Sequence, residues 1–155
     1  MAVIGSLMKT DMVTAAPGET VAHAAYSMAS NGVGAVLVVE AGKLVGFLSE
    51  RDVLRRVVAE GVDPAVARVS DVATSDPLTV DSATPVRECS ELIREKGVRH
   101  LPVLQDGAPV GIISSRDLFG YVVESLERVI DDEQYARALA IGDDPYDHLG
   151  GSYGR

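Results

Sequence analysis

The chain has 155 residues, 46% of them hydrophobic and 24% charged, with a formal net charge of −9. That balance is globular, and it argues against a general basic surface for nucleic acid, which needs clustered Lys and Arg. With no Trp and 5% aromatic residues a base-stacking platform is also unlikely, and the single Cys89 leaves no intramolecular disulfide.

A chain of this length can bury about 68–70% of its unfolded surface. The start of the chain lacks a basic stretch followed by a long apolar one. The longest apolar run, residues 35–39, is too short to cross a bilayer. The expectation is a cytoplasmic protein without membrane contact. In so acidic a chain, any anionic ligand must be met by a local cluster of donors.

The first predicted element is an extended segment, Met12-Val13-Thr14. A turn leads into a helix starting near Thr20, with Val21, Ala24, Ala25 and Met28 on its apolar side and Gly32 as a left-handed cap. Residues 35–39 and 44–48 read as two strands of a hairpin. A helix then starts at Ser49-Glu50-Arg51-Asp52, carries Val53, Leu54, Val57 and Val58, and ends at Gly61. Residues 62–69, with Asp63-Pro64, form the linker.

The second half follows the same order. Pro77-Leu78-Thr79-Val80 is extended, and a helix starts near Thr84 with Pro85 in its first position. Val86, Cys89, Leu92 and Ile93 make its apolar side, which favours a buried core thiol for Cys89, and Gly97 ends it. Residues 100–104 and 109–113 form the second hairpin. Pro102 cannot donate to a ladder, which places its strand at an edge or at its own start there. The last helix carries Leu118, Phe119, Val122, Val123, Leu126, Val129 and Ile130. Asp131-Asp132-Glu133 is expected to break it, a short helix to occupy residues 134–141, and the rest to be tail. The expected units are thus 1–61, the linker 62–69, 70–130, and an acidic, Gly-rich, partly disordered tail at 131–155.

The two halves are copies. Gly46-Phe47-Leu48-Ser49-Glu50-Arg51-Asp52 returns 65 positions later as Gly111-Ile112-Ile113-Ser114-Ser115-Arg116-Asp117. The same offset pairs Thr14 with Thr79, Gly32 with Gly97, and Val57-Val58 with Val122-Val123. One long period repeated once is a duplicated supersecondary unit, not a solenoid.

This duplicated β-α-β-β-α pattern, each copy ending in Gly-h-h-Ser-x-x-Asp (h, hydrophobic), resembles a tandem pair of cystathionine-β-synthase (CBS) domains over about residues 5–125. The resemblance implies an α+β fold: two repeats packed as a pseudo-twofold pair, with small mixed sheets flanked by helices. It also implies a regulatory cleft for an adenosine derivative such as AMP, ADP, ATP or S-adenosylmethionine, with no cofactor required and no metal. By that resemblance Asp117 and Asp52 would accept from the ribose hydroxyls, with Ser114 and Ser49 near ribose or phosphate. Backbone around Val13-Thr14 and Leu78-Thr79 would face the adenine. Arg99-His100 matches the basic position for phosphate, and Arg116 is a further candidate. The first repeat has Gly34-Ala35 in place of Arg99-His100, so the second repeat carries the fuller polar set and Asp117 ranks first.

The chemistry suits these roles, because a carboxylate offers two acceptor oxygens to adjacent hydroxyls and Arg a planar fork of donors to phosphate. Ser-x-x-Asp is also a helix capping box, which accounts for the same residues without a ligand. The rival to the sensor is a ligand-independent homodimerisation or protein-interaction scaffold, built on the apolar stripe from Leu118 to Ile130; homodimers are expected under both. Catalysis is not expected, since the repeated Ser sits in a capping context with no Gly-x-Ser-x-Gly elbow around it, and no Gly-rich Walker loop appears. Three scattered His and one Cys make no zinc spacing.

Overall fold

The computed structural model describes residues 1–141. The chain divides into two compact units, Met1–Leu118 and the part from Phe119 onward. Both repeats' sheets lie in the first. A four-stranded mixed sheet runs β1 (Thr14–Ala15), β2 (Ala35–Glu40), β3 (Lys43–Ser49) and β4 (Thr74–Ser75); β1 is parallel to β2, and the other pairs are antiparallel. A three-stranded sheet runs β5 (Val80–Asp81), β6 (His100–Gln105) and β7 (Ala108–Ser114) with the same senses.

Helix α1 (Val21–Asn31) follows β1, and α4 (Val86–Lys96) follows β5. Thr20 caps α1 by accepting from the His23 N–H at 3.2 Å, an interaction typically worth about 1 kcal/mol. Pro85, expected as the first helical residue, is the N-cap of α4 with extended backbone. Gly32 and Gly97 close the two helices at φ 63°, a left-handed conformation that costs a residue with a Cβ.

Pro102 corrects the edge-strand expectation. Its strand β6 is the central one of three. In the first repeat Leu37 donates its N–H to the Val13 carbonyl at 3.1 Å. Pro102 stands at the matching position and has no N–H. The sheet absorbs this by starting β5 later: β1 pairs through Thr14 and Ala15, β5 only from Val80.

Each repeat builds its core with help from the segment preceding the other. Ile4, in a short 3-10 turn (Ile4–Ser6), is fully buried with Val80, Cys89, Ile93, Leu101, Val103, Ile113 and Leu118. Val69 and Val72, from α3 (Val69–Val72), are buried with Val21, Ala24, Met28, Val36, Val38, Leu48 and Val57. Full burial of such side chains favours folding by about 1.5–3 kcal/mol each. The exchange continues in the backbone. β4 adds to β3 through Thr74 opposite Phe47, and Lys9 bridges to Ile112 in the corresponding place.

This exchange gives the motif glycines their reason. A Cβ on Gly111 would lie 2.6 Å from Met8 Sδ and 2.8 Å from the Lys9 carbonyl oxygen; on Gly46 it would lie 3.2 Å from that of Thr74. At Gly111 a side chain would displace the incoming segment, and at Gly46 that segment would have to give by a few tenths of an ångström.

The final helices differ from expectation. The first is a short α2 (Glu50–Val53) that widens into a π turn over Leu54–Val58, with the Ala59 N–H donating to the Leu54 carbonyl. The last, α5, is unbroken from Ser115 to Ala140. Asp131, Asp132 and Glu133 are exposed there, so water solvates their charges without a break in the helix. The expected tail beyond residue 141 lies outside the described residues. Among the described residues, no helix is long and apolar enough to cross a membrane.

Candidate functional site

The two Ser-x-x-Asp segments sit at the ends of β3 and β7, where strand turns into helix. Both form capping boxes. Asp52 Oδ2 accepts from the Ser49 N–H (2.9 Å) and hydroxyl (2.8 Å), while Ser49 Oγ accepts from the Asp52 N–H (3.2 Å). Asp117 Oδ2 accepts from the Ser114 N–H (2.8 Å) and hydroxyl, and Ser114 Oγ accepts from the Asp117 N–H (3.3 Å). The capping account of these residues is therefore realised in full.

It does not use up the carboxylates. The Oδ1 atom of each faces a cation at 3.5 Å: Arg56 Nη2 for Asp52, Lys9 Nζ for Asp117. A carboxylate oxygen accepts two hydrogen bonds, so each Oδ1 keeps capacity for an outside donor. Sequence reading missed both cations. Arg56 is legible afterwards as the i+4 partner of Asp52. Lys9 matches Thr74 at the 65-residue offset, a signal visible only once the exchanged segments are known. Arg56 is further fixed by donating to the Val72 carbonyl at 2.7 Å and to Thr74 Oγ1 at 3.3 Å.

A cavity of about 210 Å³ lies beside Asp52. Ser49, Arg51 and Asp52 of the first repeat line it together with Leu78, Arg99, His100 and Pro102 of the second; Phe47 and Thr74 complete its wall. The cavity thus holds Arg99 and His100 together with Asp52 of the other repeat, while the His100 ring also feels the Asp117 carboxylate of its own repeat, as the repeat-by-repeat grouping implied. Asp117, Ser114 and the exposed Arg116 belong to the opposite rim, beside the Lys9 bridge. Val13 is partly buried against the first core, and its carbonyl is bonded to Leu37. Thr14 is exposed in β1. Thr79 lines a separate acidic concavity with Asp81, Glu88, Glu91 and Glu95.

His100 is the titratable group of note. Burial pushes its pKa down, and neighbouring Arg99 adds to this; Glu50 and Asp117 oppose it. Its ring is tilted against Phe47 at a centroid distance of 6.4 Å. Cys89, buried in the second core, has its pKa raised by that burial, which makes an inert thiol.

The CBS domain family profile matches residues 4–59 and again residues 69–124. The chain belongs to the CBS-domain family. An uncharacterized protein of Methanopyrus kandleri, MK0525, is 32% identical over 80% of this chain and 66% of its own length. The chain spans 58% of another curated CBS-domain relative. Among solved CBS structures, a protein with CBS domains from Burkholderia ambifaria superposes with a TM-score of 0.75 at 31% identity, covering 79% of this chain and 95% of that one. The CBS domain protein PAE2072 of Pyrobaculum aerophilum, complexed with AMP, superposes with a TM-score of 0.70 at 31% identity, covering 75% and 89%.

Proposed function

We propose that this CBS pair is a regulatory module that takes up an adenosine phosphate of the AMP type in the crevice beside Asp52. The observation that carries the reading is the composition of that crevice. One carboxylate with an oxygen to spare stands opposite Leu78, Arg99 and His100 from the other repeat. The AMP complex of the 31% identical PAE2072 supports the ligand class.

Asp52 Oδ1 accepts from a ribose hydroxyl, and the second hydroxyl is met by Oδ2 once the Ser49 hydroxyl turns away. Leu78, Phe47 and Pro102 supply the apolar wall for the base. Because Pro102 has no N–H, the Leu78 carbonyl lacks the partner that Val13 has in the first repeat and is available to the base. Arg99 and Arg51, both exposed, meet the phosphate at the rim. The volume of about 210 Å³ is below the roughly 300–1,000 Å³ of drug-sized sites, so part of the nucleotide stays at the open rim. The role is binding, not catalysis: Ser49 and Ser114 are committed to caps, and among the described residues no His ring is hydrogen-bonded to either. Regulation follows if the nucleotide prefers one of two states of the module or its partner complex.

Calorimetric titration with AMP, ADP, ATP, NADH and S-adenosylmethionine tests this. Saturable binding of an adenosine phosphate is expected; no heat from any of the five would reject the reading.

A second reading is carried by α5. Phe119, Val122, Leu126 and Val129 recur at spacings of three and four and are 70%, 49%, 57% and 55% exposed. That is the seam of a helix pair, and its proposed occupant is α5 of a second copy. Such a homodimer forms with or without nucleotide.

A further inference from the structure

We infer that Glu50 makes the opposite rim refuse phosphate, so that one chain takes up one phosphorylated nucleotide and not two; this rests on the reading above. The two rims are related by the 65-residue offset, which allows position-by-position comparison. Arg99 corresponds to Gly34, and Ser115 to Glu50. The backbone is the same in both: the Glu50 N–H donates to the Gly34 carbonyl at 2.9 Å, and the Ser115 N–H to the Arg99 carbonyl at 3.0 Å. The side chains are inverted in charge. A Cβ on Gly34 would lie 3.3 Å from Glu50 Oε1, so the carboxylate stands where the stem of an arginine would begin.

The rest of the opposite rim agrees. The His100 ring reaches this position as well, 3.6 Å from where a Gly34 Cβ would lie, but burial pushes its pKa down and so disfavours the charged form there. Lys9, where the other side has Thr74, pairs with Asp117 at 3.5 Å. A phosphate arriving there meets the Glu50 carboxylate where the other side has Arg99, with Lys9 already engaged and the exposed Arg116, counterpart of Arg51, as the cation the two sides share. Glu50 is exposed, so solvent screens part of its repulsion, but a like charge at the contact position still discriminates against a phosphorylated ligand. A neutral adenosine-type group carries no such penalty.

Exchanging the two positions for their counterparts tests the inference. Gly34 has no left-handed φ, and the nearest atoms a Cβ there would meet are the ends of the Glu50 and His100 side chains. The double variant Gly34→Arg, Glu50→Ser is therefore compatible with the fold. Calorimetry with AMP is expected to give about one nucleotide per chain for the natural sequence and about two for the double variant. Two in the natural sequence, or one in a double variant that melts normally, would overturn the inference while leaving the AMP reading intact. None in the natural sequence would overturn the reading and the inference with it. Glu50→Gln, which preserves the side chain's size, covers the case of a double variant that fails to fold. Its amide spectrum is expected to show a second binding event at Gly34 and Ser114 at least tenfold tighter than any in the natural sequence. Equal titrations at those amides would overturn the inference as well.

Discussion

The sharpest expectation concerns Asp52 and Asp117, which are equivalent by repeat and capped identically. Replacing either by Ala removes a capping box, with a cost of about 0.5–2 kcal/mol. For a chain of this size that lowers the melting temperature by about 2–4 °C per kcal/mol. The two variants should therefore melt alike. Their nucleotide binding should not match, because Asp52 lines the cavity that holds Leu78, Arg99 and His100, and Asp117 does not. A hydrogen bond to a charged group contributes about 1.5–3 kcal/mol, and about 1.4 kcal/mol is tenfold in affinity. Losing one such ribose contact weakens AMP binding roughly 10- to 150-fold. Asp117→Ala should stay within about twofold of the natural sequence, less than the loss of even one weak neutral hydrogen bond. Calorimetry with AMP, beside a thermal melt of each variant, reads both quantities. Equal losses in the two variants, or an undiminished affinity in Asp52→Ala, would refute the assignment of the ribose contact.

Three further outcomes follow from the geometry. Gly111→Ala forces a Cβ to 2.8 Å from the Lys9 carbonyl and should destabilise by about 1–3 kcal/mol, more than Gly46→Ala, whose nearest backbone atom is at 3.2 Å; urea midpoints of both variants check the order. His100 has its pKa lowered on folding, so below about pH 6.5 the unfolded chain binds the extra proton and stability falls as pH falls. His100→Gln should lose less stability than the natural sequence between pH 7.5 and 5.5, and an identical loss would contradict the burial argument. Leu126→Glu places a charge in the exposed stripe of α5 and should convert a dimer to a monomer by light scattering, with the melting temperature of the first unit unchanged.

Much of the fold was legible because it rests on local chemistry. The Gly32 and Gly97 caps, the hairpins and the duplicated Gly-h-h-Ser-x-x-Asp all follow from backbone preference and period. What escaped was non-local. Nothing near Ile4 or Lys9 says that they join the second repeat's core and sheet, nor does anything near Val69 and Thr74 point back to the first. Grouping the site by repeat therefore put Arg99 and His100 with Asp117 alone, whereas in the structure they also line the cavity beside Asp52 of the other repeat. Pro102 misled for a related reason: a missing N–H predicts an edge, but the neighbouring strand simply begins one bridge later. The acidic triplet at 131–133 misled because charge alone does not end a helix whose side chains reach water.

A crystal structure of the chain grown with AMP tests the central claim most directly. The account predicts a nucleotide between the repeats, its ribose hydroxyls within hydrogen-bond distance of the Asp52 carboxylate and its phosphate at Arg99. A nucleotide bound instead at Asp117, or saturating AMP with Asp52 still bonded only to Ser49 and Arg56, would contradict it.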